Sequence, residues 1–214
     1  MALVMDKEKS LRSESASVTP VRIGVLGLQG DFQKHLETLA RIDNVDPRVV
    51  RTPDEIRECA GLIIPGGEST TVGKLMERYG VDTAIRECFS KGMAVFGTCT
   101  GMIVLAKDIE GSSQQRLGLM DITVRRNAFG RQVDSFEVDL PIPGVCEVEP
   151  VRAVFIRAPF VTRVGEDAKV LAALETGEIV MVRQGRCLAA AFHPELTDDT
   201  RVHEYFVSMA RSLL

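Results

Sequence analysis

No apolar run in this chain approaches the roughly 20 residues that a membrane-spanning helix needs, so a membrane protein is not expected. Positive charge is not in excess either. Lys and Arg number 26 against 30 Asp and Glu, a formal net charge of −4, which leaves no basic face for nucleic-acid phosphates. The five cysteines, Cys59, Cys88, Cys99, Cys146 and Cys187, form no Cys-x-x-Cys pair. None belongs to a Cys/His cluster with zinc-ligand spacing, so no metal is expected. An odd number of scattered thiols suits a reducing compartment, and with no secretory signal in view the expected location is cytoplasmic. Residues 1–20, MALVMDKEKSLRSESASVTP, lack a long apolar stretch and read as a flexible leader, in part of non-native origin. No internal repeat, low-complexity tract, linker or phosphate-binding loop of the P-loop form follows, so residues 21–214 read as a single domain.

What is present alternates. VRIGVLGLQ, PRVVRT, GLIIPGG and MAVFG read as strands. DFQKHLETLARI, DEIRECA, Glu68 to Arg78 and Val81 to Lys91 read as helices, and MIVLAKDI as a further helix. Strands alternating with helices predict βαβ units and a parallel sheet, and the apolar LIIP and AVF fit a sheet covered on both faces. After Gly111 the pattern turns strand-rich: ITVRRN, QVDSFEVDL, VFIRAP, VLAAL, and a hairpin EIVMVRQGRCLAAAF turning at Gln184 and Gly185. These predict antiparallel additions to the sheet. A last helix is expected over Asp198 to Leu214, capped by Thr197 or Asp198. The fold class is therefore α/β, a three-layer open sheet.

The stretch AVFGTCTGMIVLA places Cys99 between Gly97 and Gly101, between a buried strand and a helix. Gly-x-Cys-x-Gly in that setting has the form of a nucleophile elbow. The flanking glycines let strand and helix approach closely, and the thiol then stands above the carboxyl ends of the strands, where open α/β sheets bind ligands. The N–H of Thr100 would point at a developing oxyanion. The other four cysteines read as small buried hydrophobes.

A cysteine nucleophile needs a base, and the chain has three histidines: His35, His193 and His203. His193 follows the apolar CLAAAF and precedes Pro194 and Glu195. In an extended segment residues i and i+2 face the same way, so Glu195 can orient His193. His35 and His203 read as partly exposed helix residues. In IIPGGEST, Ile63 to Thr70, a strand stops at Pro-Gly-Gly, leaving backbone N–H groups free to turn toward a ligand. A plain glycine turn with Ser69 or Thr70 capping the next helix is the simpler alternative.

The motifs GVLGLQGDFQKH (24–35), LIIPGGESTT (62–71), FGTCTGMIVLAK (96–107), RRNAFGRQVDSFE (125–137), VFIRAP (154–159) and AAFHPELTDD (190–199) sample the chain from residue 21 onward. In these the sequence resembles the class I, triad-type glutamine amidotransferases, and within them the glutaminase subunits of pyridoxal 5′-phosphate synthases. The resemblance implies a flavodoxin-like fold, no cofactor, and hydrolysis of L-glutamine to glutamate and ammonia. It implies Cys99 as nucleophile, His193 as base, Glu195 as its orienter, and an oxyanion hole from the backbone of Gly67 and Thr100. Gly66, Gly67, Glu68, Arg126, Ile156 and Arg157 match the glutamine-contacting positions; a guanidinium suits the α-carboxylate. The ammonia would pass to a separate synthase subunit within a large hetero-oligomer, with the segment around Gln29 coupling the two. One departure from the family pattern is Thr100, where alanine is more usual. The competing readings are a glutaminase of another pathway, a cysteine hydrolase on the same fold, and a catalytically silent binding subunit.

Overall fold

The computed structural model describes residues 19–126 and 135–212. Nearly all of the leader, and the NAFGRQVD portion of the fourth motif (127–134), lie outside the described residues.

The chain opens with β1 (Val21–Leu26), α1 (Phe32–Leu39), β2 (Val45–Val50), α2 (Pro53–Arg57) and β3 (Gly61–Ile64). Next come α3 (Ser69–Arg78), α4 (Val81–Ser90), β4 (Ala94–Thr98), α5 (Thr100–Leu105) and β5 (Ala106–Ile109). The second half supplies β6 (Met120–Arg125), β7 (Ser135–Leu140), β8 (Val151–Ile156), β9 (Phe160–Val164), β10 (Lys169–Ala173), β11 (Ile179–Gln184) and β12 (Cys187–Ala190). A 3-10 turn at Pro194–Leu196 and α6 (Arg201–Arg211) close it.

The main sheet runs β2-β1-β3-β4-β12-β11-β9-β6-β5, with β10 on the other flank of β11. From β2 to β12 every pairing is parallel. Beyond β12 the pairings to β11, β9 and β6 are antiparallel. β7 and β8 form a separate hairpin. β3, β4 and β12 are buried at every residue, as strands covered on both faces must be. β4 shows the two layers by alternation. Phe96 packs on Phe206 and His203 of α6, and Thr98 meets His35 of α1. Gly97 between them faces α5. Among the described residues no helix is long and apolar enough to cross a membrane.

Four features of the fold depart from the sequence expectations. MIVLAKDI is not one helix: α5 stops at Leu105, Ala106 turns extended, and AKDI becomes β5 paired with β6. The apolar spacing was ambiguous, and strand pairing settled it. β9 was not anticipated. The last helix begins at Arg201, after Thr200, with no side-chain cap, rather than at Asp198. The hairpin turns at Gly185 and Arg186, one residue later than expected, with Gly185 at φ 55°.

Candidate active site

β4 delivers Cys99 to the start of α5 with φ 48° and ψ −103°. A residue carrying a Cβ occupies that region only when its surroundings hold it there. The Cys99 N–H donates to the Ala190 carbonyl at 2.8 Å, and its own carbonyl accepts from Met102 N–H at 3.1 Å. The two glycines are required by contact. A Cβ on Gly97 would lie 2.4 Å from the Gly101 carbonyl carbon, and one on Gly101 would lie 2.2 Å from the Ile64 carbonyl oxygen. Helix, elbow and neighbouring strand therefore pack backbone to backbone.

His193 stands just past the end of β12. Its N–H donates to the Val154 carbonyl of β8 at 2.8 Å. Its ring stands beside the Cys99 side chain, which favours the charged imidazole, and its Nδ1 lies 2.7 Å from Glu195 Oε1. The i, i+2 pairing is as expected, but the path is not. Pro194 starts a 3-10 turn instead of an extended strand. Burial pushes the His193 ring toward neutrality; Cys99 and Glu195 beside it outweigh that and raise it to about 10. Burial would also raise the Glu195 carboxyl, yet the His35 and His193 rings at its two oxygens hold it well below the usual range. Sulfur, imidazole and carboxylate thus stand side by side, the sulfur and the carboxylate buried and the imidazole part-buried.

The Pro65-Gly66-Gly67 loop closes over these side chains. Gly66 abuts the imidazole: a Cβ there would fall 2.5 Å from His193 Cε1. The Gly67–Glu68 peptide is gripped at both ends. Its carbonyl accepts from the Thr100 hydroxyl at 2.5 Å, and its N–H donates to Gln29 Oε1 at 2.8 Å. The hydroxyl that sets Thr100 apart from alanine is thus in use. The Glu68 carboxylate is committed elsewhere, accepting from Thr70 N–H, Thr71 N–H and the Thr71 hydroxyl. Those bonds, the Thr71 hydroxyl first, hold it down at about 2. It caps α3, so the cap is Glu68, not Ser69 or Thr70.

A cavity of about 420 Å³ opens between these parts. Cys99, Thr100, His193, Gly67, Glu68 and Gln29 line one side. Arg126, Ile156 and Arg157 line it from the second half of the chain. Arg126 Nη1 donates to Gln114 Oε1 at 2.6 Å. Arg157 has φ 44°, and the Ile156 carbonyl faces the Cys99 sulfur at 3.9 Å. Of the sequence candidates, Gly66 and Glu195 stand behind the cavity, at the His193 ring. Ser69, read from sequence only as a helix cap, lines the cavity too, and neither Ile103, which also lines it, nor Gln114, which holds Arg126, was singled out from sequence. Ile103 could have been, because four residues after an elbow a helix returns to the same face.

The larger surprise is the other two histidines. Neither is partly exposed: His35 and His203 are both fully buried. Burial holds both rings neutral, His203 down at about 3. In the unfolded chain they titrate near 6.5, so from there down toward pH 3 the unfolded state binds more protons than the folded one. Stability is therefore expected to fall as pH drops through that window. Thermal melts from pH 7 to pH 4 check this, and His203→Gln should flatten the slope; an equally steep slope in that variant would count against it.

A model of the SNO glutamine amidotransferase family matches residues 25–212. The chain belongs to that family. Other members named pyridoxal 5′-phosphate synthase subunit PdxT are close in sequence. The one from Carboxydothermus hydrogenoformans is 55% identical, across 87% of this chain and 96% of its own length. The one from Niallia circulans is 53% identical, across 89% and 98%. A crystal structure described as glutamine amidotransferase superposes with a TM-score of 0.82 at 48% identity, covering 88% of this chain and 98% of its own. A PurLQS structure from Thermotoga maritima shares the fold, with a TM-score of 0.67 at 16% identity. The SNO glutamine amidotransferase match runs through every element that builds the cavity.

Proposed function

We propose that this chain is the glutaminase subunit of a pyridoxal 5′-phosphate synthase, working through Cys99, His193 and Glu195. The observation that carries the reading is the strained elbow sulfur with His193 and Glu195 beside it, at a cavity large enough for an amino acid. In this mechanism His193 takes the Cys99 thiol proton and the sulfur attacks the side-chain carboxamide carbon of glutamine. The oxyanion that forms takes hydrogen bonds from the backbone N–H groups of Gly67 and Thr100. His193 gives a proton to the departing nitrogen, which leaves as ammonia and leaves a thioester on Cys99. Water, losing a proton to His193, attacks the thioester carbonyl and releases glutamate. Arg126 and Arg157 receive the substrate's α-carboxylate, with Gly66, Glu68 and Ile156 shaping the pocket around it.

Close relatives named as synthase subunits support delivery of the ammonia to a synthase partner in a hetero-oligomer. A cytoplasmic setting suits the free thiols. Gln29 is the coupling residue in this reading, because it holds the peptide next to the oxyanion donor. The test is glutamate release from glutamine with and without the synthase subunit. Release stimulated by the partner is expected, with stimulation reduced in Gln29→Ala. No release under either condition overturns the function, and undiminished stimulation in Q29A overturns the coupling role.

A further inference from the structure

The mechanism above uses one histidine of three. The other two lie directly behind it. Glu195 Oε1 takes the His193 proton, but the buried Oε2 has no hydrogen-bond partner among the described residues. It faces His35 Nε2 at 3.5 Å. That same Nε2 is 3.2 Å from the Thr98 hydroxyl, one residue before the nucleophile. His35 Nδ1 lies 2.9 Å from His203 Nε2, and His203 Nδ1 is buried without a partner among the described residues.

Two proton arrangements are open to this row, because the Thr98 hydroxyl can either accept from His35 Nε2–H or donate to a bare Nε2; the Glu195 carboxylate 3.5 Å away selects between them. A carboxylate can only accept, and a lone pair of His35 set against it is unfavourable, so the favoured His35 carries its proton on Nε2. A neutral His35 then has a bare Nδ1, which needs a donor, so His203 is protonated on Nε2. The atom left unpartnered, His203 Nδ1, is then a bare acceptor. The reverse tautomers would set lone pairs of His35 and Glu195 against each other and bury an N–H of His203 with nothing to receive it.

We propose that His35 is a positioning residue for the triad: its Nε2–H faces the second oxygen of Glu195 and fixes the carboxylate plane that orients His193, while His203 fixes the tautomer of His35. The charged groups acting on His35 are Glu195 and His193 from the 3-10 turn and Asp31 at the head of its own helix. His203 adds Asp199 and Arg41 at the far end of the row. Neutrality matters. A cation at His35 would compete with His193 for the Glu195 charge, whereas a neutral N–H orients the carboxylate without neutralising it.

This inference rests on the triad reading, and the experiment separates the two. Glutamine hydrolysis is measured on the chain with its synthase subunit, for His35→Leu and His35→Gln, with Cys99→Ala and Glu195→Gln as references. Leu fills the space without a donor; Gln places an N–H near the lost Nε2. His35→Leu should lower kcat by about tenfold, the scale of lost outer-shell orientation, with KM for glutamine nearly unchanged. The acid limb of its kcat profile should move to higher pH, because the carboxylate has lost the N–H dipole that faced it. His35→Gln should restore both. Wild-type kcat and acid limb in H35L, or an H35Q as impaired as H35L, overturns the proposal. Activity surviving in C99A or E195Q overturns the triad instead. Should the His35 variants fail to fold, nitrogen-15 NMR of the histidine rings in the wild-type chain decides. A neutral His35 protonated on Nε2 at pH 7 supports the assignment, and the Nδ1–H tautomer or a cation overturns it.

Discussion

Replacing Cys99 by alanine should abolish glutamine hydrolysis, lowering kcat by at least about 10⁴-fold, while leaving the fold and glutamine binding in place. Loss of the nucleophile removes the covalent route, and the remaining triad members have nothing to activate. Alanine keeps the Cβ, so the backbone at φ 48° experiences the same demand as before. The hydrogen bonds from Cys99 N–H to Ala190 and from Met102 N–H to the Cys99 carbonyl do not involve the sulfur. The cavity walls contributed by Arg126, Ile156, Arg157 and the Gly67 loop are untouched. Calorimetric titration of C99A with glutamine, beside a melting curve and a glutamate-release assay, checks all three parts. Near-wild-type hydrolysis in C99A would mean that water attacks the amide directly, and the thioester mechanism would fall.

The second large effect is expected at Gly101→Ala. The added methyl would sit 2.2 Å from the Ile64 carbonyl oxygen, and that oxygen belongs to the backbone of a fully buried central strand. No flexible side-chain end can yield. α5 must lift away from β3, and it carries Cys99 and Thr100 with it. Overpacking of this kind costs about 1–3 kcal/mol or more, which for a chain of this size lowers Tm by about 5–10 °C. Activity should fall further than stability. Displacing the elbow by about 1 Å moves the nucleophile off its attack line and costs roughly 10²-fold. It also breaks the Thr100–Gly67 hydrogen bond that steadies the oxyanion loop. A G101A variant with wild-type Tm and turnover would show that α5 does not rest on β3 in this way.

The parts of the site legible in the sequence were those carried by short, local constraints. Gly-Thr-Cys-Thr-Gly announces a turn because close backbone packing excludes side chains at both flanks. Pro-Gly-Gly after an apolar strand announces bare N–H groups. His-Pro-Glu pairs its ends over two residues, and the pairing survived even though the backbone follows a 3-10 turn instead of the assumed strand. Where local pattern was ambiguous, it failed. Ala106 to Ile109 continue a helical apolar spacing, yet the main-chain groups of β6 were available to pair, and a strand resulted.

His35 and His203 mark the boundary most sharply. In sequence each is one of several polar residues on an amphipathic helix, and such residues ordinarily face water. Their burial depends on four segments meeting: α1, α6, the end of β4 and the turn holding Glu195. A buried imidazole is tolerable only where partners satisfy its nitrogens, and those partners are 63 and 168 residues away along the chain. Sequence alone determined the α/β alternation, the elbow and the histidine beside its carboxylate, because backbone sterics and near-neighbour spacing act within a few residues. Only the tertiary structure decided which polar groups stand behind that carboxylate, because desolvation and hydrogen-bond satisfaction depend on what the whole chain brings together.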